Sequence, residues 1–256
     1  MSVLLPPYRR ITIDEVDSTN RLAFERAAAG EKGPLWIVAR RQTAGRGRSG
    51  RPWSSEPGNL YASLLVEMAC PPTVVPQVSL VAGVAVASAI KQVLGDRSAA
   101  LRLKWPNDVL IGQAKCVGIL AESTMGRESV TVVIGIGINL AWHPTDLGRM
   151  ATSLAEQGAH ISPDAMFDGL APAMQHWLEV WQCGVGFGSV RDAWLAQAGQ
   201  VGENCSVNTG TERLEGKFLG IDAAGALLMQ DNQGRQRSIG FGDVTLMPAP
   251  GEERGK

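Results

Sequence analysis

The spacing of apolar and polar positions changes several times along this chain, and each change predicts an element. Ser18 reads as the N-cap of a helix through TNRLAFERAAA, with Gly30 as its C-terminal stop. Arg21 stands where a capping box would carry Glu or Gln, so that device is incomplete. The apolar run 35–39 (LWIVA) predicts a buried strand, and 60–66 (LYASLLV) predicts another. Pro76 opens a predicted helix to Leu94, stopped by Gly95. Leu101 to Lys104 predicts a strand running into Trp105-Pro106-Asn107-Asp108. Segments 109–111 and 116–121 predict a strand pair around Gly112-Gln113-Ala114. Residues 129–138, continuous and β-branched, predict a central strand. From 150 to 200 the pattern turns helical, and Trp177, Trp181 and Trp194 at helical spacings read as core. Beyond Gly199 the segments LEGKFLGI, ALLMQ, RQRSI and DVTLM predict a small antiparallel barrel. A domain boundary is therefore expected near residue 200, giving units 1–200 and 201–256, with the tail GEERGK frayed.

Composition narrows the class. The 256 residues are 45% hydrophobic and 19% charged, ordinary for a globular protein able to bury a full core. Cys70, Cys116, Cys183 and Cys205 are scattered without a CxxC pair, which argues against a disulfide framework or a zinc site and fits a reducing cytoplasm. His143, His160 and His176 show no metal-binding spacing. The apolar stretch 78–90 is interrupted by Ser79, Gly83 and Ser88, so it reads as a buried helix, not a membrane span. A net charge of −1 argues against broad nucleic-acid binding.

The basic character is local. Gln42 to Trp53 reads QTAGRGRSGRPW, and with Arg40 and Arg41 it crowds five guanidinium groups among three glycines and no acid. Like charges repel and glycine raises the entropy cost of ordering, so such a loop is expected to settle only against an anion. Arginine suits phosphate because its planar fork makes paired, charge-assisted hydrogen bonds. Gly45, Gly47 and Gly50 fit GxGxxG, but no helix opens there and no acidic residue follows at dinucleotide spacing, which weighs against a Rossmann site. Lys104, Asp108 and Lys115 lie within strand-forming sequence, where charge without a partner is costly, and this marks them as site candidates. Ser18-Thr19-Asn20 alone could be no more than a helix cap, and the glycines of Gly135-Ile136-Gly137-Ile138-Asn139 fit a bulge as well as close approach by a ligand or neighbour.

Taken in order, STN at 18–20, Q-x-x-GRGRSGRPW at 42–53, KWPNDVLIGQAKCVGIL at 104–120 and GIGIN at 135–139 resemble the biotin–protein ligases. The resemblance is strong over about residues 12–140, and the C-terminal pattern extends it. It implies an α+β fold: a mixed β-sheet catalytic domain flanked by helices, like the class II aminoacyl-tRNA synthetases, plus a small C-terminal SH3-like β-barrel. It implies that biotin and ATP, with Mg²⁺, form biotinyl-5′-AMP, and that a lysine of the biotin carboxyl carrier protein then accepts the biotinyl group. By the same resemblance Ser18, Thr19, Asn20, Gln42, Gly45, Arg46, Gly47, Arg48, Lys115, Gly118 and Gly135 would bind biotin. Arg48, Arg51, Trp53, Lys104, Asn107, Asp108 and Asn139 would surround the nucleotide, and Lys115, Arg48 and Asp108 would carry the chemistry.

Ser18 lies near the start of this sequence, so no DNA-binding domain, no DNA partner and no membrane are expected, while a homodimer is possible. Cys116-Val117 departs from the larger aliphatic and small residue more usual in the family. Competing readings are a lipoate or octanoate transferase on the same scaffold, with a longer and more apolar pocket, and a nucleic-acid-binding protein using the Arg/Gly segment.

Overall fold

The computed structural model describes residues 7–145 and 150–246, so the tail and Met247 of the last predicted segment lie outside the described residues. Seven strands build the larger sheet: β1 (Arg9–Val16), β2 (Leu35–Gln42), β3 (Leu60–Met68), β4 (Leu101–Lys104), β5 (Asp108–Ile111), β6 (Ala114–Met125) and β7 (Val130–Ile138). Their order is β1-β2-β3-β7-β6-β5-β4, with β1 and β2 parallel and the other neighbours antiparallel.

Both faces are covered, which is why the central strands read as near-continuous apolar runs. Strand alternation sends Leu35 and Ile37 toward α1 (Thr19–Ala28), where they pack with Ala23, Leu65 and Val133. Trp36, Val38, Leu64 and Val66 face the other way, toward α2 (Val78–Leu94), α3 (Pro163–Trp181) and α4 (Phe187–Leu195). The apolar stretch 78–90 is the core of α2, with Val81, Ala82, Val84, Ala85, Val86 and Ala87 all fully buried. Trp181 and Trp194 are buried as expected, and the Trp177 indole donates to Ser88 Oγ at 3.3 Å.

The smaller sheet contains β8 (Asn204–Asn208), β9 (Arg213–Ile221), β10 (Leu227–Asp231), β11 (Gln236–Ile239) and β12 (Asp243–Leu246). Its order is β11-β10-β9-β8-β12, consistent with an SH3-like domain. Strands β11 and β12 stand at the two ends of that order, and the five antiparallel strands fit the small SH3-like unit expected.

Other departures are local. Strand β1 was not anticipated, because RRITIDEV is half charged and sits at the sheet edge with a mixed exposed pattern. Helix α2 begins at Val78 after a 3₁₀ segment spanning Pro72–Gln77 that contains Pro76. Residues 150–162 are irregular, not helical: Thr152 and Ser153 bond to Glu156 and Gln157 nearby, an alternative to helical bonding that these residue types favour. Helix α3 starts only where Ser162 caps it and Pro163 takes the first turn.

Candidate functional site

A cavity of about 1290 Å³ opens over the large sheet and reaches the edge of the small one. Ser18, Thr19, Asn20, Gln42, Arg46, Gly47, Arg48, Arg51, Trp53, Lys104, Asn107, Asp108, Lys115, Gly118 and Gly135 all line it. Two expected residues do not. Gly45 lies beneath the loop, its carbonyl accepting the Trp53 N–H at 2.9 Å, and a Cβ there would meet the Trp53 carbonyl at 2.5 Å. Asn139 is buried behind Lys115, donating to the carbonyls of Thr152 (3.0 Å) and Lys115 (3.5 Å), and borders only a minor recess.

At one end a helix start, a strand end and a mid-strand hydroxyl meet. Ser18 caps α1, so Thr19 and Asn20 leave its first turn toward the sheet. Gln42, the last residue of β2, accepts from the Thr19 backbone N–H (2.9 Å) and hydroxyl (3.1 Å), while its amide donates to Ser55 Oγ (2.9 Å). Ser63 of β3, fully buried, contacts Thr19 Oγ1 (2.7 Å) and Asn20 Oδ1 (2.6 Å). The Asn20 amide donates to the Leu120 carbonyl (3.2 Å) and to Glu122 Oε2 (2.7 Å). The glycine at 135 exists for this cluster: a Cβ there would lie 2.2 Å from Asn20 Oδ1.

At the other end the Trp105–Asp108 turn delivers a buried carboxylate between two lysines. Asp108 Oδ2 meets the Lys104 ammonium at 3.1 Å, and Oδ1 bonds the Lys115 ammonium, whose side chain is only 12% exposed. Burial pushes the Asp108 carboxyl up, but the Lys115 and Lys104 ammoniums outweigh it and hold the group below its usual range. Lys115 also sits over the Trp53 ring at 5.5 Å. That indole lies flat against the strands where Gly118 and Gly137 omit side chains; a Cβ at either would approach it to 2.7 and 2.5 Å. Its buried Nε1 has no hydrogen-bond partner among the described residues.

The Arg/Gly segment joins these two ends. It folds as a narrow excursion, with Trp53 N–H to Gly45 O (2.9 Å) and Gly47 N–H to Arg51 O (2.7 Å), turning through left-handed Ser49 and Gly50. The loop was expected to settle only against an anionic ligand, yet carboxylates of the protein itself face its arginines. Arg46 lies 3.8 Å from Glu122, and Arg48 and Arg51 both meet Asp243 of β12, at 3.4 and 2.6 Å. Arg41 pairs with Glu15 and Glu56, and Arg40 with Asp14. Arg48 further donates to the Gly242 carbonyl (3.1 Å) and is mostly buried.

Ser55, Ser63, Glu122 and Asp243 escaped the sequence reading. Ser63 left a signal, a polar residue inside the apolar run LYASLLV; the other three depend on tertiary pairing and left none. The donor set offers magnesium no cage of its own: both Asp108 oxygens are engaged by lysines. Among the described residues no three His, Cys, Asp or Glu side chains converge to hold an ion.

Residues 13–139 match the Biotin/lipoate A/B protein ligase family, and 201–247 match the Biotin protein ligase C terminal domain. The chain is 39% identical over 231 residues to a biotin–[acetyl-CoA-carboxylase] ligase of Paracoccus denitrificans, covering 86% of this chain and 93% of that protein. It is 35% identical to the bifunctional ligase/repressor BirA of Bacillus subtilis, covering 91% of this chain and 72% of the relative. Among solved structures, the biotin protein ligase of Aquifex aeolicus in complex with biotin and ATP superposes with a TM-score of 0.78 at 28% identity, over 93% of this chain and 99% of that one. The Leishmania major ligase in complex with biotinyl-5-AMP gives a TM-score of 0.62 at 25% identity, over 92% of this chain and 99% of the other. With the same sheet, the same C-terminal domain and a lysine–arginine cavity between them, this chain is an enzyme belonging to the Biotin/lipoate A/B protein ligase family.

Proposed function

We propose that this enzyme joins biotin to ATP, giving biotinyl-5′-AMP and pyrophosphate, and passes the biotinyl group to a lysine of a biotin carboxyl carrier protein. One observation carries the choice of biotin. Gln42 Oε1, Thr19 Oγ1, Ser63 Oγ and Asn20 Oδ1 form a row of four oxygens with three contacts of 3.1, 2.7 and 2.6 Å. Only the two hydroxyls carry protons, and both ends are amide oxygens that can only accept. Flipping Gln42 would turn its amide against the Thr19 N–H, and flipping Asn20 would set its oxygen against Leu120 O and the Glu122 carboxylate. The row is one proton short. A ligand N–H given to Gln42 Oε1 takes the place of the Thr19 hydroxyl there, which turns to Ser63 while Ser63 donates to Asn20, so both short contacts carry a proton and only the 3.1 Å Thr19–Gln42 contact goes without. The ureido ring of biotin supplies such an N–H; the dithiolane of lipoate has none, and an octanoyl chain has none either.

In the first step a biotin carboxylate oxygen bonds to the α-phosphorus while the bond to the bridging oxygen breaks and pyrophosphate leaves. Arg48 and Lys115 offset the negative charge that gathers on the phosphoryl oxygens, in a partly buried site where such charge–charge contacts are strengthened. Arg51, Lys104, Asn107 and Trp53 border the remaining cavity wall, where the nucleotide would sit. Magnesium would enter with the triphosphate and supply charge neutralisation on its oxygens. In the second step a neutral acceptor amine attacks the acyl carbon, the carbon–oxygen bond breaks, AMP leaves and the amine's surplus proton passes to solvent. Between ammoniums that depress its basicity, Asp108 suits orienting a lysine better than removing a proton. Residues 1–200 would form the catalytic unit and 201–256 the C-terminal unit.

The test is exchange of labelled pyrophosphate into ATP. Exchange that requires biotin and is not supported by lipoate is expected; exchange with lipoate alone, or none with biotin, would overturn the assignment.

A further inference from the structure

Glu122 lies outside the cavity lining, yet it touches two residues that line it. Its Oε2 accepts the Asn20 amide at 2.7 Å, and its Oε1 lies 3.8 Å from Arg46 of the Arg/Gly loop. Glu122 sits on β6 opposite Val133, two residues from Gly135, the position that leaves room for Asn20. A carboxylate accepts hydrogen bonds and donates none. With Leu120 O taking the other amide proton, Glu122 forces Asn20 to present its oxygen, not its nitrogen, to Ser63. That orientation is what leaves the four-oxygen row short of a proton.

We infer that Glu122 is a positioning residue that sets head-group specificity: by fixing the Asn20 amide it makes the pocket demand a hydrogen-bond donor from its ligand. This rests on the biotin reading and deepens it. Removing the negative charge while keeping the shape relaxes the demand. In Glu122→Gln the new amide can donate to Asn20 Oδ1, which offsets that oxygen's contact with Leu120 O, so the flipped Asn20 that gives its nitrogen to Ser63 becomes populated. A ligand N–H then has no deficit to fill. A ligand oxygen set against Gln42 Oε1 places two acceptors face to face, which costs far more than a paired N–H, so such a lock discriminates strongly. Arg46 beside the other oxygen ties the same carboxylate to the loop that borders the cavity.

The experiment compares wild type with Glu122→Gln, and with Glu122→Asp as the charge-keeping control. The ligands are biotin and its cyclic-carbonate analogue, in which ring oxygens replace both N–H groups; dissociation constants come from titration calorimetry. Wild type should favour biotin strongly. In Glu122→Gln the preference should shrink about tenfold, ~1.4 kcal/mol, through weaker biotin binding, with KM for biotin rising and kcat changing little. Glu122→Asp should keep most of the preference. A Glu122→Gln protein that melts like wild type yet keeps the full preference overturns the role of Glu122. Failure of wild type to favour biotin over the carbonate would instead overturn the head-group assignment itself, so the two failures are separable.

Discussion

At the scale of single residues, the site depends on a few positions where one atom decides the outcome. Lys115 is the clearest. Replacing it with Met removes a charge aimed into the cavity, and pyrophosphate exchange should fall by roughly 10²–10³, the usual cost of one electrostatic contact in a preorganised site. Stability should fall by only about 1–3 kcal/mol, less than for an isolated buried pair, because Lys104 still faces Asp108. Asp108 adds a pH signature. The two ammoniums hold its folded pKa below the ordinary value of 3.8, so its contribution is present above about pH 4 and is lost as pH falls through the folded value. The difference in unfolding free energy between wild type and Asp108→Asn should therefore be constant from neutral pH down to about 4 and shrink below it, as read from urea titrations. Gly135→Ala tests the opposite end. A methyl 2.2 Å from Asn20 Oδ1 must expel that side chain, so the biotin dissociation constant should rise at least about tenfold while the fold survives a ~1–3 kcal/mol overpacking cost.

At the scale of elements, the sequence revealed what repeats with a strong period and hid what depends on partners. The apolar strands β2, β3 and β7 and the helix from Val78 were legible because burial on both faces leaves an unbroken hydrophobic signal. Strand β1 was hidden because an edge strand needs only one satisfied face, and RRITIDEV spends the rest on surface ion pairs. The site motifs were legible as residue types, yet their reasons were not. The glycines of GIGIN fitted a bulge and a close neighbour equally well, and the neighbour proves right: Gly135 clears Asn20 and Gly137 clears Trp53. The Arg/Gly segment looked unable to order alone because Glu122 and Asp243 are remote in sequence. Between β7 and α3 lies a titratable pair. There His143 Nε2 lies 2.8 Å from Glu156, which also accepts from Thr152 at 2.8 Å, and the Glu156 hydrogen bond raises the histidine pKa above 6.5. A raised histidine contributes stability at low pH and loses it as pH rises through the folded value. An NMR titration should place the His143 midpoint above 6.5 in wild type and bring it back toward 6.5 in Glu156→Gln; identical midpoints would show the pair to be inert.

At the scale of the whole molecule, two sheets that sequence alone separates near residue 200 share one hydrophobic core. Val207, Phe218, Ile221, Leu227 and Met229 of the small sheet belong to the same buried cluster as α2 and α3. The seam is also stitched by polar groups: the buried Trp105 indole donates to Gly225 O at 3.0 Å, and Arg191 donates to Ile221 O at 2.8 Å. Arg48 and Arg51 cross it to reach Asp243, so the cavity needs both halves. Shared burial of this kind couples the halves thermodynamically, and a single calorimetric transition is expected for wild type, with van't Hoff and calorimetric enthalpies equal. Gly225 is the position to probe. Its φ of +91° disfavours any side chain, and a Cβ would come within 3.0 Å of Leu80 and 3.2 Å of Phe187. Gly225→Val adds left-handed strain to overpacking, about 2–4 kcal/mol together. At 2–4 °C per kcal/mol for a chain of this size, its midpoint should drop by roughly 5–15 °C. Because the substitution lies on the seam, the lost cooperativity should appear as a second, lower transition from the small sheet. Two transitions already present in wild type would mean that the halves fold independently and that the shared core carries no coupling.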